Sequence, residues 1–299
     1  MTAPFAGIWP ILYAFFTETG ALDRAAMRRQ AGICVAAGVP GMAVLGLATE
    51  VSKLTQAERR CVVEWAAEDL AGRTALAVTV FGATPGEQIE AAAHAAACGA
   101  RLAVLQPPRG VSMTEAELQR FFGQVMDRSP IATGIQNAPD YLGIGLSPAG
   151  IAELRRRHPN FQLLKGEGPA VLIAEVVART EGRLAVFNGR GGLELPDNLR
   201  AGCAGLIPAP DCFETQLAIY DAMRRGDEAQ AERLYREILP AIVFVMQSID
   251  HLICYGKRLV AARMGLGPVH DRAPFLAPTA FGEAVVARFA ATLGPYAAG

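Results

Sequence analysis

Near the middle of this chain an amine and a carboxylate lie two residues apart, in FQLLKGEG, where Lys165 ends a short apolar run and Glu167 stands between two glycines. A lysine withdrawn from water loses hydration that its charged form needs, which favours the free amine and lets it attack a carbonyl carbon. That is the requirement for Schiff-base catalysis. Side chains alternate along an extended strand, so positions 165 and 167 share a face if the strand runs that far. The same two residue types also make ordinary ion pairs at strand ends, and spacing alone does not choose between the readings.

Other segments offer binding chemistry. The turn Leu47-Ala48-Thr49 can present backbone N–H groups to a carboxylate, with the Thr49 hydroxyl assisting, while the side chains of Leu47 and Ala48 have no hydrogen bond to give. Thr55 and Glu58 just beyond it fit a helix capping box. The glycine-rich stretch FNGRGGLELPDNLRAG sets Gly189 and Arg190 after another apolar run, with Arg190 suited to a distal hydroxyl or carboxylate. GRGG does not have P-loop spacing, though a phosphorylated ligand stays open at this point. His94, His158, His251 and His270 are dispersed, and the six cysteines form no CxxC. The expectation is no metal and no organic cofactor.

These groups need a scaffold. Eight apolar runs, at 7–15, 40–46, 74–80, 101–106, 131–136, 161–165, 183–189 and 204–209, alternate with amphipathic stretches that often end in glycine. Runs that are apolar throughout imply strands buried on both faces, and eight of them predict an α/β fold, a (β/α)8 TIM barrel over 1–225, with a C-terminal helical extension over 226–299. A doubly wound open sheet is the alternative. Barrel chemistry gathers at strand C-termini, which singles out Tyr13, the 46–50 turn, Gln106–Gly110, Gln136-Asn137, Lys165 with Glu167, 188–192 and Ile207. With 52% hydrophobic and 19% charged residues, and 28 basic against 29 acidic side chains, there is ample core and no polyanion footprint. The apolar N-terminal run is cut short at Thr17-Glu18-Thr19-Gly20 and lacks a basic leader, so a cytoplasmic location with no membrane or nucleic-acid partner is expected.

GLATEVSKLTQAER (46–59), IQNAP (135–139) and LLKGEG occur in the order and spacing of the GTTGE, YNxP and lysine-bearing segments of a known family. Over nearly its whole length the chain resembles the pyruvate-dependent Schiff-base lyases that include dihydrodipicolinate synthase and N-acetylneuraminate lyase. The resemblance implies that Lys165 forms the Schiff base with a small 2-keto acid, and that the protein is a homotetramer.

The departures are informative. Where the resemblance places a proton relay of tyrosine, threonine and tyrosine, this chain has Gln136, Leu47 and about Gly110. An amide cannot ionise near neutral pH, so Gln136 can orient a substrate but not accept its proton. Tyr141 replaces the arginine that holds the second substrate of dihydrodipicolinate synthases. The pattern is more similar to the branch of 2-keto-3-deoxy sugar-acid dehydratases such as that acting on 2-keto-3-deoxyarabonate. That branch implies Lys165, Glu167 and Gln136 as catalytic residues, with Ala48, Thr49, Gly189, Arg190 and Ile207 contacting substrate. A pyruvate-dependent aldolase, a deaminase of a cyclic imino acid and a non-catalytic keto-acid sensor are the alternatives.

Overall fold

The computed structural model describes residues 5–297. Eight parallel strands form the sheet: β1 (Gly7–Ile8), β2 (Gly41–Val44), β3 (Ala75–Val80), β4 (Leu102–Leu105), β5 (Ala132–Asn137), β6 (Phe161–Gly166), β7 (Ala185–Asn188) and β8 (Gly205–Leu206). Each pairs with its sequence neighbour from β2 to β8, and β1 pairs with β8. The ring closes where Ile11 bridges to Ala43 of β2 and the Leu12 N–H donates to the Ala43 carbonyl at 2.9 Å. This is the expected (β/α)8 barrel.

β1 and β8 are far shorter than the apolar runs that announced them. Pro10 and Pro208 have no N–H to give a neighbour, so the regular ladder stops at Ile8 and Leu206. Single bonds continue beyond, from the N–H groups of Trp9 and Ile11 to the carbonyls of Leu206 and Pro208. The side chains of Val44, Leu105, Ile135, Leu163 and Phe187 are all buried, as strands covered on both faces require.

Helices α1 (Arg24–Ala36), α2 (Gln56–Leu70), α3 (Pro85–Ala97), α4 (Glu115–Met126), α5 (Pro139–Leu142), α6 (Pro148–Arg157), α7 (Ala170–Thr180), α8 (Leu195–Arg200) and α9 (Phe213–Arg224) surround the strands. Capping boxes start α2, α3 and α4, each a threonine paired with a glutamate three residues on, including the Thr55–Glu58 pair read from the sequence. Beyond the ring run α10 (Glu228–Val245), α11 (Ile249–His251), a turn of π-helix (Leu252–Gly256), α12 (Lys257–Met264) and α13 (Ala280–Leu293). Ile238, Ile242, Val260, Met264 and Tyr296 belong to the same apolar core as the strands. Among the described residues no single helix is long and apolar enough to cross a membrane.

Candidate active site

Lys165 and Gln136 are register partners on β6 and β5, and partners across parallel strands point to the same face. Gln106 continues that layer one residue past β4, where its side chain reaches Gln136. The barrel mouth therefore carries two amides and an amine side by side.

Glu167 completes the cluster. Its N–H donates to the Asn137 carbonyl at 2.9 Å, which extends the β5–β6 ladder one step beyond Gly166 and keeps residue 167 on the face of 165. Lys165 Nζ lies 2.6 Å from Glu167 Oε1, with the two side chains only 7% and 4% exposed. Gln136 Nε2 donates to the same oxygen at 2.9 Å, and Gln106 Nε2 donates to Gln136 Oε1 at 2.8 Å. Behind them Gln88 of α3 donates to the carbonyls of Gln106 and Gly82 at 2.7 and 3.2 Å. No tyrosine hydroxyl hydrogen-bonds Lys165 or Glu167 among the described residues. Among the described residues the carboxylate is the ion-pair partner of the amine.

Gly189 makes this arrangement possible. A Cβ there would fall 2.8 Å from Cγ and 2.9 Å from Cδ and Oε1 of Glu167, so the carboxylate occupies the space a side chain would need. Asn188, fully buried at the end of β7, donates to the Gly168 carbonyl at 3.0 Å and to Asn198 Oδ1 at 2.8 Å, which pins the loop after Glu167 to α8.

The Leu47-Ala48-Thr49 turn is buried, and its three amide N–H groups make no hydrogen bond among the described residues. They are available to an anion. Thr49 contributes less than expected, because its hydroxyl donates to the Leu12 carbonyl at 2.6 Å and its proton is already committed. The turn ends at Glu50, left-handed at φ 56° and buried, which pairs with Lys53 at 2.6 Å and with Lys257 of α12.

At the rim stands Arg190, bound to Glu194 at 3.2 Å and near enough to Tyr141 for its charge to act on the phenol. Burial and the charge of Glu167 raise the Tyr141 phenol, with Arg190 opposing them, so it stays protonated as a donor. Ile207 is buried, and its N–H is spent on the Asn188 carbonyl at 2.9 Å, leaving an aliphatic wall. Two strand-end positions fall away from the cluster. Tyr13 is fully buried and donates to Asp211 Oδ1 at 2.8 Å, and Gly110 is exposed. The nearness of Tyr141 to Arg190 and the Gln88 link are not legible in the sequence, since both join segments distant along the chain. Among the described residues no three His, Cys, Asp or Glu side chains converge as a metal would need.

Residues 4–280 match the Dihydrodipicolinate synthetase family. The chain belongs to that family. Members are lyases, and several relatives cover most of their own length. A 4-hydroxy-tetrahydrodipicolinate synthase of Exiguobacterium sibiricum is 28% identical over 82% of this chain and 84% of its own. An L-2-keto-3-deoxyarabonate dehydratase of Azospirillum brasilense is 26% identical over 79% and 78%. YagE of Escherichia coli K12, provisionally named a 2-dehydro-3-deoxy-D-gluconate aldolase, is 28% identical over 80% of each chain. The solved structure of YagE, described as a complex with pyruvate, superposes with a TM-score of 0.88 over 97% of this chain and 99% of its own, at 24% identity.

Proposed function

We propose that this family member is a Schiff-base lyase that dehydrates a 2-keto-3-deoxy sugar acid. One observation carries the reading: a carboxylate, that of Glu167, rather than a phenol, lies against Lys165 Nζ. Lys165 Nζ attacks the C2 ketone, and loss of water leaves an iminium that acidifies the C3 hydrogens. Glu167 takes one of them. The C–H electrons form the C2=C3 bond of a neutral enamine, and the nitrogen pair then drives out the C4 hydroxyl. It leaves as water with the proton Glu167 holds, and hydrolysis of the new iminium frees the amine and the dehydrated keto acid. The open amides of residues 47–49 suit the substrate carboxylate, and Arg190 with Tyr141 suits its distal hydroxyls.

A pyruvate aldolase is the second reading, favoured by Tyr141 at the rim and by the provisional name of YagE. Retro-aldol cleavage needs a base at the C4 hydroxyl, and a phenol raised by burial is a poor one, which weighs toward dehydration. The test incubates the protein with 2-keto-3-deoxypentonate and 2-keto-3-deoxyhexonate, traps with borohydride, and identifies products. The expected outcome is an adduct by intact mass that Lys165→Ala abolishes, together with a dehydrated keto acid. Free pyruvate as the main product overturns dehydration, and the absence of any adduct overturns the Schiff base.

A further inference from the structure

From the chain of buried amides we infer that Gln106 is a positioning residue, which acts through Gln136 to keep a hydrogen-bond donor on Glu167 throughout the covalent cycle. The inference rests on the functional reading above and extends it to a residue that does not touch the reacting atoms.

Three facts carry it. Glu167 Oε1 takes two contacts, from Lys165 Nζ at 2.6 Å and from Gln136 Nε2 at 2.9 Å. Gln136 can offer either end of its amide, and Gln106 Nε2, donating to Gln136 Oε1 at 2.8 Å, is what leaves the NH2 end for Glu167. The Gln106 main chain is held by Gln88, which donates to its backbone carbonyl at 2.7 Å; both glutamines are fully buried, and Gln106 Oε1 has no hydrogen-bond partner among the described residues. A reversed Gln136 would set its carbonyl oxygen against the carboxylate, where two acceptors repel.

The chemistry makes this matter after the first step. Before the covalent bond forms, Lys165 Nζ carries at least two N–H bonds. Once Nζ is bonded to C2 as an iminium it keeps one, so the Gln136 amide becomes the donor that does not change along the reaction. Without Gln106 the buried Gln136 carbonyl loses its partner, the amide is free to turn, and Glu167 is held less firmly over C3. Schiff-base formation at Lys165 does not need that restraint; proton abstraction does. The consequence is a split between two steps on the same substrate.

The test uses the full-length protein with pyruvate, whose iminium can exchange its C3 hydrogens in D2O. Adduct formation is read by borohydride trapping and mass, and exchange by NMR, for wild type, Gln106→Leu, Gln136→Leu, the double variant and Glu167→Gln. Gln106→Leu is expected to trap as much adduct as wild type while exchange slows by about 10-fold or more, and the double variant is expected to be no slower than Gln136→Leu. Parallel loss of adduct and exchange in Gln106→Leu, wild-type behaviour in both, or a double variant slowed by the product of the two single effects overturns the inference. If wild type forms no adduct, or exchanges independently of Glu167, the functional reading falls and takes this inference with it. Normal adduct and Glu167-dependent exchange in wild type, with an unaffected Gln106→Leu, overturns the positioning role alone.

Discussion

Glu167 can lie against Lys165 only because position 189 has no side chain. The two sites are separated by a helix and a strand, yet a Cβ at 189 would sit 2.8 Å from Glu167 Cγ. Gly189→Ala is therefore expected to push the carboxylate off the amine while leaving Lys165 in place. Turnover should fall roughly 100-fold, the scale of a displaced acid–base group, with borohydride adduct retained. Equal activity in Gly189→Ala would mean that the carboxylate does not act from this position. At this scale Lys165 and Glu167 were legible, since amine, acid and spacing are local. Gly189 was legible only as part of a glycine-rich loop, because its neighbour arrives from another strand. The bond from the Thr49 hydroxyl was hidden for a similar reason: its acceptor, Leu12, comes from the first barrel segment.

Among the elements, the 46–50 turn and α12 depend on one another. Lys257 is wholly buried, pairs with Glu50 and lies 5.1 Å from the centre of the Phe16 ring. Burial lowers the Lys257 amine, and Glu50 opposes that. A buried pair contributes little net stability over an apolar substitute, but removing one partner strands the other charge. Lys257→Met should cost about 3–5 kcal/mol in chemical denaturation, less to the extent that Lys53 compensates Glu50. It should also raise KM, since Glu50 ends the turn that carries the open amides. Adding Glu50→Gln should restore part of the stability; a double variant less stable than Lys257→Met would refute the clamp. The sequence contained both residues 207 positions apart with nothing to join them. The helix caps, by contrast, were readable in place, because a capping box spans four residues.

Over the whole molecule, the C-terminal helices and the barrel are joined through a buried polar knot. Tyr13 donates to Asp211, Arg263 donates to the Asp211 carbonyl at 2.9 Å, and the Tyr296 hydroxyl donates to the Pro210 carbonyl at 2.9 Å. Burial pushes the Asp211 carboxyl up to about 7, against the lowering effects of Tyr13 and Arg263. A folded-state pKa above the unfolded value means that the native state binds the proton more tightly, so stability is greatest below about pH 4 for this group and is lost as pH rises toward 7. The full effect is on the order of 4 kcal/mol. Asp211→Asn, which keeps an acceptor for Tyr13, should match wild type at pH 5 more nearly than at pH 8, where it should be the more stable protein. Denaturant titrations at both values check this, and an identical pH dependence in the two proteins would remove Asp211 as the cause.

Period and composition alone determined a parallel sheet flanked by helices, and closure of β1 on β8 and of Ile11 on Ala43 chose the barrel over the open sheet. Eight runs apolar on both faces must be covered on both sides, by helices or by one another, and that constraint is written locally along the chain. The amine and its acid were equally local, two residues apart at a strand end. Only the tertiary structure decided what surrounds them: Gln136 and Gln106 from neighbouring strands, the vacancy at Gly189, the spent hydroxyl of Thr49, and the hold of Lys257 on the turn. Hydrogen bonds and excluded volume act over a few ångströms of space whatever the separation in sequence, so partners brought together by barrel closure leave no periodic trace for a linear reading to find.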